Sequence, residues 1–225
     1  MSKIRILLAD DHTVVRQGLR ALLLAEKDMD IVAEADTGRQ AVQMAKKFTP
    51  DVIVMDVSMP LLNGMEATRQ ITQNMPGAKV LVLSSYGDED YVQKLLEAGA
   101  AGYLIKQTAA NDLVLAIRET AAGNAFFSPA IAKRLRDKVR QGFTNGQTDH
   151  SNTPSLTVRE AEILQLVAEG RANKQMADDL GISIKTVEKH RQQVMNKLNI
   201  HDTAGLTRYA VAKGVIDPHA LPVIG

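Results

Sequence analysis

Five short apolar runs punctuate the first 122 residues, at 4–8, 31–33, 52–55, 80–83 and 103–105. None alternates with polar positions as a half-exposed strand does, so each reads as a strand covered on both faces. Between the runs, apolar positions recur at the helical period. Val15, Leu19, Leu22 and Leu23 form one set, and Ala41, Met44, Ala45 and Phe48 a second. Met65, Thr68 and Ile71 form a third, Tyr91, Val92, Leu95 and Leu96 a fourth, and Leu113, Ala116 and Ile117 a fifth. Five strand–helix units in alternation predict an α/β domain, a doubly wound five-stranded parallel sheet with helices on both faces.

The pattern breaks after residue 122. Ser128-Pro129 suit the start of a helix carrying Ile131, Leu135 and Val139, because Pro fits the first helical turn. Residues 140–155 are rich in Gly, Asn, Ser, Thr and Gln and read as a flexible linker. Beyond them no strand pattern occurs. Helices are predicted over 157–169, 173–180, 184–198 and 203–213, closed in turn by Gly170, Gly181 and, after the last, Gly214. The expected organisation is an α/β domain over 1–122, a linker with one helix over 123–154, and a small all-α domain over 155–225.

Charge separates these segments. Residues 1–122 hold 13 Lys+Arg against 16 Asp+Glu, residues 123–152 hold 5 against 2, and residues 153–225 hold 9 against 8. The sharpest basic cluster lies within 185–197. The chain has no Cys, which excludes a disulfide framework and thiolate zinc sites and fits a reducing compartment. The apolar start is too short for a signal peptide, and no run approaches the roughly 18 apolar residues of a membrane helix. The protein therefore reads as cytoplasmic.

Chemistry gathers at the strand ends. Asp10 and Asp11 end the first apolar run and Asp56 ends the third. In neighbouring parallel strands these carboxylates meet at the sheet edge where open α/β folds bind ligands. Three carboxylates together need a cation, and an all-oxygen donor set points to Mg2+. Ser84 ends the fourth run and Lys106 the fifth, so both point to the same edge. A Lys ammonium can bind a phosphoryl oxygen as a point charge, and a Ser hydroxyl can donate to another. Asp56 is then the candidate phosphoryl acceptor, Asp11 a direct metal ligand and Asp10 a ligand through water. Either aspartate of the first pair, taken alone, reads equally well as a helix N-cap; the agreement of four strand ends carries the argument.

The segments Leu7-Leu8-Ala9-Asp10-Asp11-His12, Asp56-Val57-Ser58-Met59-Pro60 with Gly64, Leu83-Ser84-Ser85 and Gly102-Tyr103-Leu104-Ile105-Lys106 resemble a receiver domain, over about residues 3–122. The resemblance implies a flavodoxin-like fold and transfer of a phosphoryl group to Asp56 from a sensor histidine kinase. It makes the main-chain carbonyl of Ser58 a further metal ligand. It makes Tyr103 a switch residue that turns inward as Ser84 moves towards the phosphoryl group, where the residue type alone suggests core packing. Receivers usually carry Pro after the Lys; here Gln107 follows.

Residues 173–198 have helix-turn-helix spacing. Ala177 is small where two helices cross, Gly181 suits a left-handed helix end, Ser183 a cap, and Val187 packs back on the first helix. Lys185, Glu188, Lys189 and Gln192 fall on the side opposite Val187 and Val194. Such a side fits a major groove, although spacing alone fits an ordinary helix pair with a solvated basic face equally well. Leu156-Thr157-Val158-Arg159-Glu160, Asn173-Lys174 and the run 183–190 resemble the LuxR-type DNA-binding domain, over about 156–215. That resemblance implies base reading by Glu188, Lys189 and Gln192, and phosphate contacts by Lys174, Thr186, Arg191 and Lys197.

Together the two halves resemble a NarL/FixJ-type response regulator. The expected function is regulation of transcription by sequence-specific binding to double-stranded promoter DNA, as a homodimer when phosphorylated, with RNA polymerase as a further partner. Leu206, Tyr209 and Ala210 of the last helix are the expected contact between DNA-binding domains. No enzymatic activity is expected beyond phosphoryl acceptance and slow self-dephosphorylation. The rival reading, an aspartyl phosphatase, needs a second Asp two residues after the nucleophile, and Ser58 stands there. A second rival is a binding module whose pocket never uses phosphate.

Overall fold

The computed structural model describes residues 3–85, 89–129, 131–133 and 156–216 and forms two compact units. The elements of the first are β1 (Ile4–Ala9), α1 (Thr13–Leu24), β2 (Met29–Ala35), α2 (Gly38–Phe48), β3 (Val52–Asp56), α3 (Gly64–Asn74), β4 (Val80–Ser84), α4 (Glu89–Glu97), β5 (Gly102–Ile105), α5 (Lys106–Ala122) and β6 (Phe126–Phe127). The sheet order is β2-β1-β3-β4-β5-β6, with every pair parallel. The chain moves outward from β1 to β2, then returns past β1 to β3. That reversal opens a crevice beyond the carboxyl ends of β1 and β3.

Strand alternation sorts the core into two layers. Ile6, Leu8, Val52, Val54, Leu81, Leu83 and Leu104 pack with Leu23 of α1 and Leu113, Ala116 and Ile117 of α5. Leu7, Ile53, Met55 and Val82 are their alternating counterparts along the same strands, buried as fully as Ala41 and Ala45 of α2 and Ala67 and Ile71 of α3. Burial on both faces explains why these strands lack polar alternation.

The sheet has six strands, not the expected five. β6 lies in the segment expected to be linker, and two residues are too few to show any period. It pairs through Gly102 with Phe126 and Tyr103 with Phe127. Gly102 makes the approach feasible: a Cβ there would lie 2.7 Å from the Phe126 carbonyl oxygen and 2.9 Å from Leu81 Cδ1. Residues 129 and 131–133 are helical, as expected after Ser128-Pro129. The rest of that expected helix, with Leu135 and Val139, and the stretch 140–155 lie outside the described residues.

The second unit is α6 (Val158–Ala168), α7 (Asn173–Leu180), α8 (Ile184–Leu198) and α9 (Thr203–Ala212). Its core includes Ile163, Leu166, Val167, Met176, Ala177, Leu180, Val187, Val194, Leu206 and Ala210. Local chemistry sets the boundaries. Thr157 and Glu160 form a reciprocal capping box at the start of α6. Gly181 ends α7 at φ 63°. The Ser183 hydroxyl accepts from the Thr186 N–H to start α8. Leu206 and Ala210 are fully buried in this unit's own core, so they cannot face a second domain as expected. Only Tyr209 of that trio is partly accessible.

Candidate functional site

The β1–β3 register sets Ala9 beside Met55, which brings Asp10 and Asp56 to adjacent strand ends. β5 delivers Lys106 as the first residue of α5. Its Nζ lies 2.8 Å from Asp56 Oδ2 and 3.0 Å from Asp10 Oδ2. Asp10 and Asp56 are buried, whereas Asp11 is partly open to solvent. The His12 N–H donates to Asp10 Oδ1 at 2.8 Å, and an Arg16 Nη1–H donates to the Asp10 carbonyl at 2.6 Å. His12 and Arg16 are the contributors that sequence reading passed over. The one signal for His12 was its place directly after the acid pair.

Charge in this pocket does not balance. Burial, then the neighbouring Asp10 and Asp11 carboxylates, push Asp56 up from 3.8 to about 6, and Lys106 offsets only part of the rise. Burial opposes the Lys106 charge, yet Asp56 and Asp10 outweigh it and raise that pKa. Ligand atoms of Asp10, Asp11, His12 and Asp56 all lie within 4.8 Å of one another. Three carboxylates facing one ammonium, with oxygens as the dominant donors, suit a hard divalent cation.

The other expected residues sit around this centre. Ser84 and Tyr103 are both buried, with Ser84 one register step past the Asp56–Leu83 pair. The Tyr103 ring thus occupies an inward position, and its carbonyl accepts the Ser128 N–H at 3.2 Å. Ser58 is half-buried, and its N–H points at Asp56 Oδ1 from 3.4 Å. Gly64 is sterically required. A Cβ there would fall 1.8 Å from the Asp56 carbonyl oxygen, while its N–H donates to the Val57 carbonyl at 2.8 Å. The start of α3 thereby presses on the peptide that carries Asp56. The described peptide bonds are all trans, including the one before Gln107.

In the second unit, Lys185, Glu188, Lys189 and Gln192 are exposed on α8, on the side away from the buried Val187 and Val194. Gln192 Nε2–H donates to Asn196 Oδ1 at 2.9 Å, extending that row by one turn. Lys174 is exposed on α7. Thr186 Oγ1 lies 2.8 Å from Ser183 Oγ within the cap. Arg191 bridges two helix starts, donating to Asn173 Oδ1 at 3.1 Å and Thr203 Oγ1 at 2.5 Å. Lys197 Nζ pairs with Glu160 Oε2 at 2.7 Å. No described helix is long and apolar enough to cross a membrane.

Comparison with known proteins agrees with this arrangement. Residues 6–118 match the response regulator receiver domain, and residues 154–210 match the luxR family of bacterial regulatory proteins. The transcriptional regulatory protein LiaR of Bacillus subtilis (strain 168) is 39% identical over 207 residues, covering 92% of this chain and 96% of LiaR. A crystal structure of a LuxR-family two-component response regulator from Aurantimonas sp. SI85-9A1 is 37% identical, with a TM-score of 0.59 over 62% of this chain and 99% of that one. The two-component response regulator RcsB in complex with DNA is 25% identical, with a TM-score of 0.57 over 94% of this chain and 99% of that one. With a receiver fold bearing the acidic pocket and a LuxR-type helical unit bearing the exposed row, the chain belongs to the NarL/FixJ-type response regulators, the two-component proteins that regulate transcription by binding DNA.

Proposed function

We propose that Asp56 accepts a phosphoryl group from a sensor histidine kinase and that the modified chain binds promoter DNA as a dimer. The observation that supports this best is the placement of Lys106 Nζ against both Asp56 and Asp10 at the sheet's switch point. An Asp56 carboxylate oxygen forms a bond to phosphorus while the phosphorus–nitrogen bond of the donor breaks, its electron pair staying on the donor imidazole. Lys106 then pairs with a phosphoryl oxygen, and Ser84 donates its hydroxyl to another. Tyr103, expected to turn inward at this step, already lies inward, and phosphorylation then holds it there as Ser84 is drawn in. Asp11, Asp56 and the Ser58 carbonyl would hold Mg2+ directly, and Asp10 through water. When bound, Mg2+ supplies the positive charge that neutralises the phosphoryl oxygens. Water slowly hydrolyses the acyl phosphate, and no outside substrate is turned over.

The receiver takes in 1–122 with β6 added to its sheet from the connecting segment 123–154, and the DNA-binding domain spans 155–225. Glu188, Lys189 and Gln192, with Lys185 beside them, read base edges in the major groove. Lys174, Thr186, Arg191 and Lys197 serve the phosphates, which set affinity and its salt dependence. A dimer on two half-sites matches the symmetry of such operators. RNA polymerase is the further partner, and the cytoplasm, where kinase output and DNA meet, is the site of action. A complete switch between forms requires about 5 kcal/mol of differential binding.

The test is intact-mass measurement after incubation with a small acyl phosphate and Mg2+. Wild type is expected to gain one phosphoryl group and Asp56→Asn none. Labelling of the variant to the wild-type level refutes Asp56 as acceptor.

A further inference from the structure

We propose that His12 is a nitrogen ligand in the acidic pocket and shifts its preference from Mg2+ towards a first-row transition ion, modestly for Mn2+ and more strongly for Co2+. The inference rests on the metal site proposed above and names a donor outside its oxygen set. The backbone of His12 is fixed at both ends: its N–H donates to Asp10 Oδ1, and its carbonyl accepts the Arg16 N–H at 2.9 Å. The ring is nevertheless 60% exposed, so no core packing explains its direction. It turns into the pocket, with Nδ1 2.8 Å from Asp11 Oδ1, 3.4 Å from Asp10 Oδ1 and 3.9 Å from Asp56 Oδ2.

These separations suit a shared coordination shell. Bonds of about 2.1 Å in an octahedron place adjacent donors about 3 Å apart and opposite donors about 4.2 Å apart. The Asp11 oxygen stands at near-adjacent spacing from Nδ1 and the Asp56 oxygen closer to opposite spacing, while Asp10, which holds the ion through water, lies outside that shell. Imidazole nitrogen adds little for Mg2+, which favours oxygen and keeps its waters. It adds affinity for later divalent ions, in the order in which nitrogen donors rank them. A pocket of carboxylates alone offers no such discrimination by donor type. The competing account is that the imidazole only hydrogen-bonds to Asp11.

Mn2+ bound to the full-length chain separates the two accounts. Electron spin-echo envelope modulation of the wild-type Mn2+ complex is expected to show a directly bound 14N, absent in both His12→Ala and His12→Gln. Competition titrations should show the Mn2+ over Mg2+ affinity ratio falling about tenfold in both variants, with Mg2+ affinity changed less than about twofold. His12→Gln keeps a hydrogen-bonding partner for Asp11 without the imidazole, so retention of the wild-type ratio in that variant overturns the proposal. So does a wild-type Mn2+ spectrum without nitrogen modulation. Failure of the wild type to bind either ion instead removes the metal site itself, and the His12 proposal with it.

Discussion

At the scale of single residues, the acidic pocket costs the protein stability. Asp56 is pushed from 3.8 to about 6 by burial and by Asp10 and Asp11, so between those values the folded chain holds a proton that the unfolded chain has lost. Stability from this group is therefore greatest below about pH 4 and declines as pH rises towards 6, a penalty of about 3 kcal/mol at pH 7 if nothing relaxes. Asp56→Asn removes the charge while keeping the shape. In metal-free buffer at pH 7 the variant is expected to melt several degrees above wild type. The gap should close as pH falls to 4, and also when Mg2+ is added, because only wild type gains from binding the ion. A variant that melts below wild type at pH 7 would mean that its lost pairing with Lys106 outweighs the relief of repulsion. Asp10, Asp56, Ser84 and Lys106 were legible as a set because each follows an apolar run in the chain. The His12 ring gave no such signal, since its direction depends on how the β1–α1 turn closes.

At the scale of elements, punctuation made the helical unit readable. The bounds of α7 and α8 coincide with expectation because Gly181 and Ser183 break the backbone pattern between them by known chemistry. Roles that depend on distant partners were not readable. Lys197, expected at the phosphates, has a second role that spacing did not show: its ammonium meets Glu160, 37 residues earlier in the chain. Burial raises the Glu160 carboxyl, while Lys197 and the Thr157 N–H and hydroxyl pull it below its ordinary value overall. The pair thus stabilises α6 against α8 above about pH 4.5, and that contribution is lost as pH falls further. Lys197→Ala is expected to cost the helical unit about 1 kcal/mol in thermal or urea unfolding, more than an open surface pair would, because it strands a buried carboxylate. Lys189→Ala should leave unfolding unchanged and weaken DNA binding instead. Equal loss of DNA affinity without loss of stability in Lys197→Ala would mean that Lys197 acts at the phosphates alone and that its pair with Glu160 adds nothing to the fold.

At the scale of the whole molecule, residues 1–122 are net acidic and residues 123–152 net basic, a division that composition alone revealed. The seam between the parts is less sharp than composition suggests. Phe126 and Phe127 extend the receiver sheet past residue 122, and the main chain of Gly102 and Tyr103 is satisfied on that side by residues outside the five strand–helix units. Anyone trimming the gene at the last turn of α5 would strip the covering from β5 and bare a row of amide and carbonyl groups, an invitation to add strands from other molecules. A fragment ending at residue 122 is expected to self-associate with rising concentration in sedimentation velocity runs, and one ending at residue 133 to stay monomeric. Identical behaviour of the two would mean that the short sixth strand is an ornament of the sheet, not its hem.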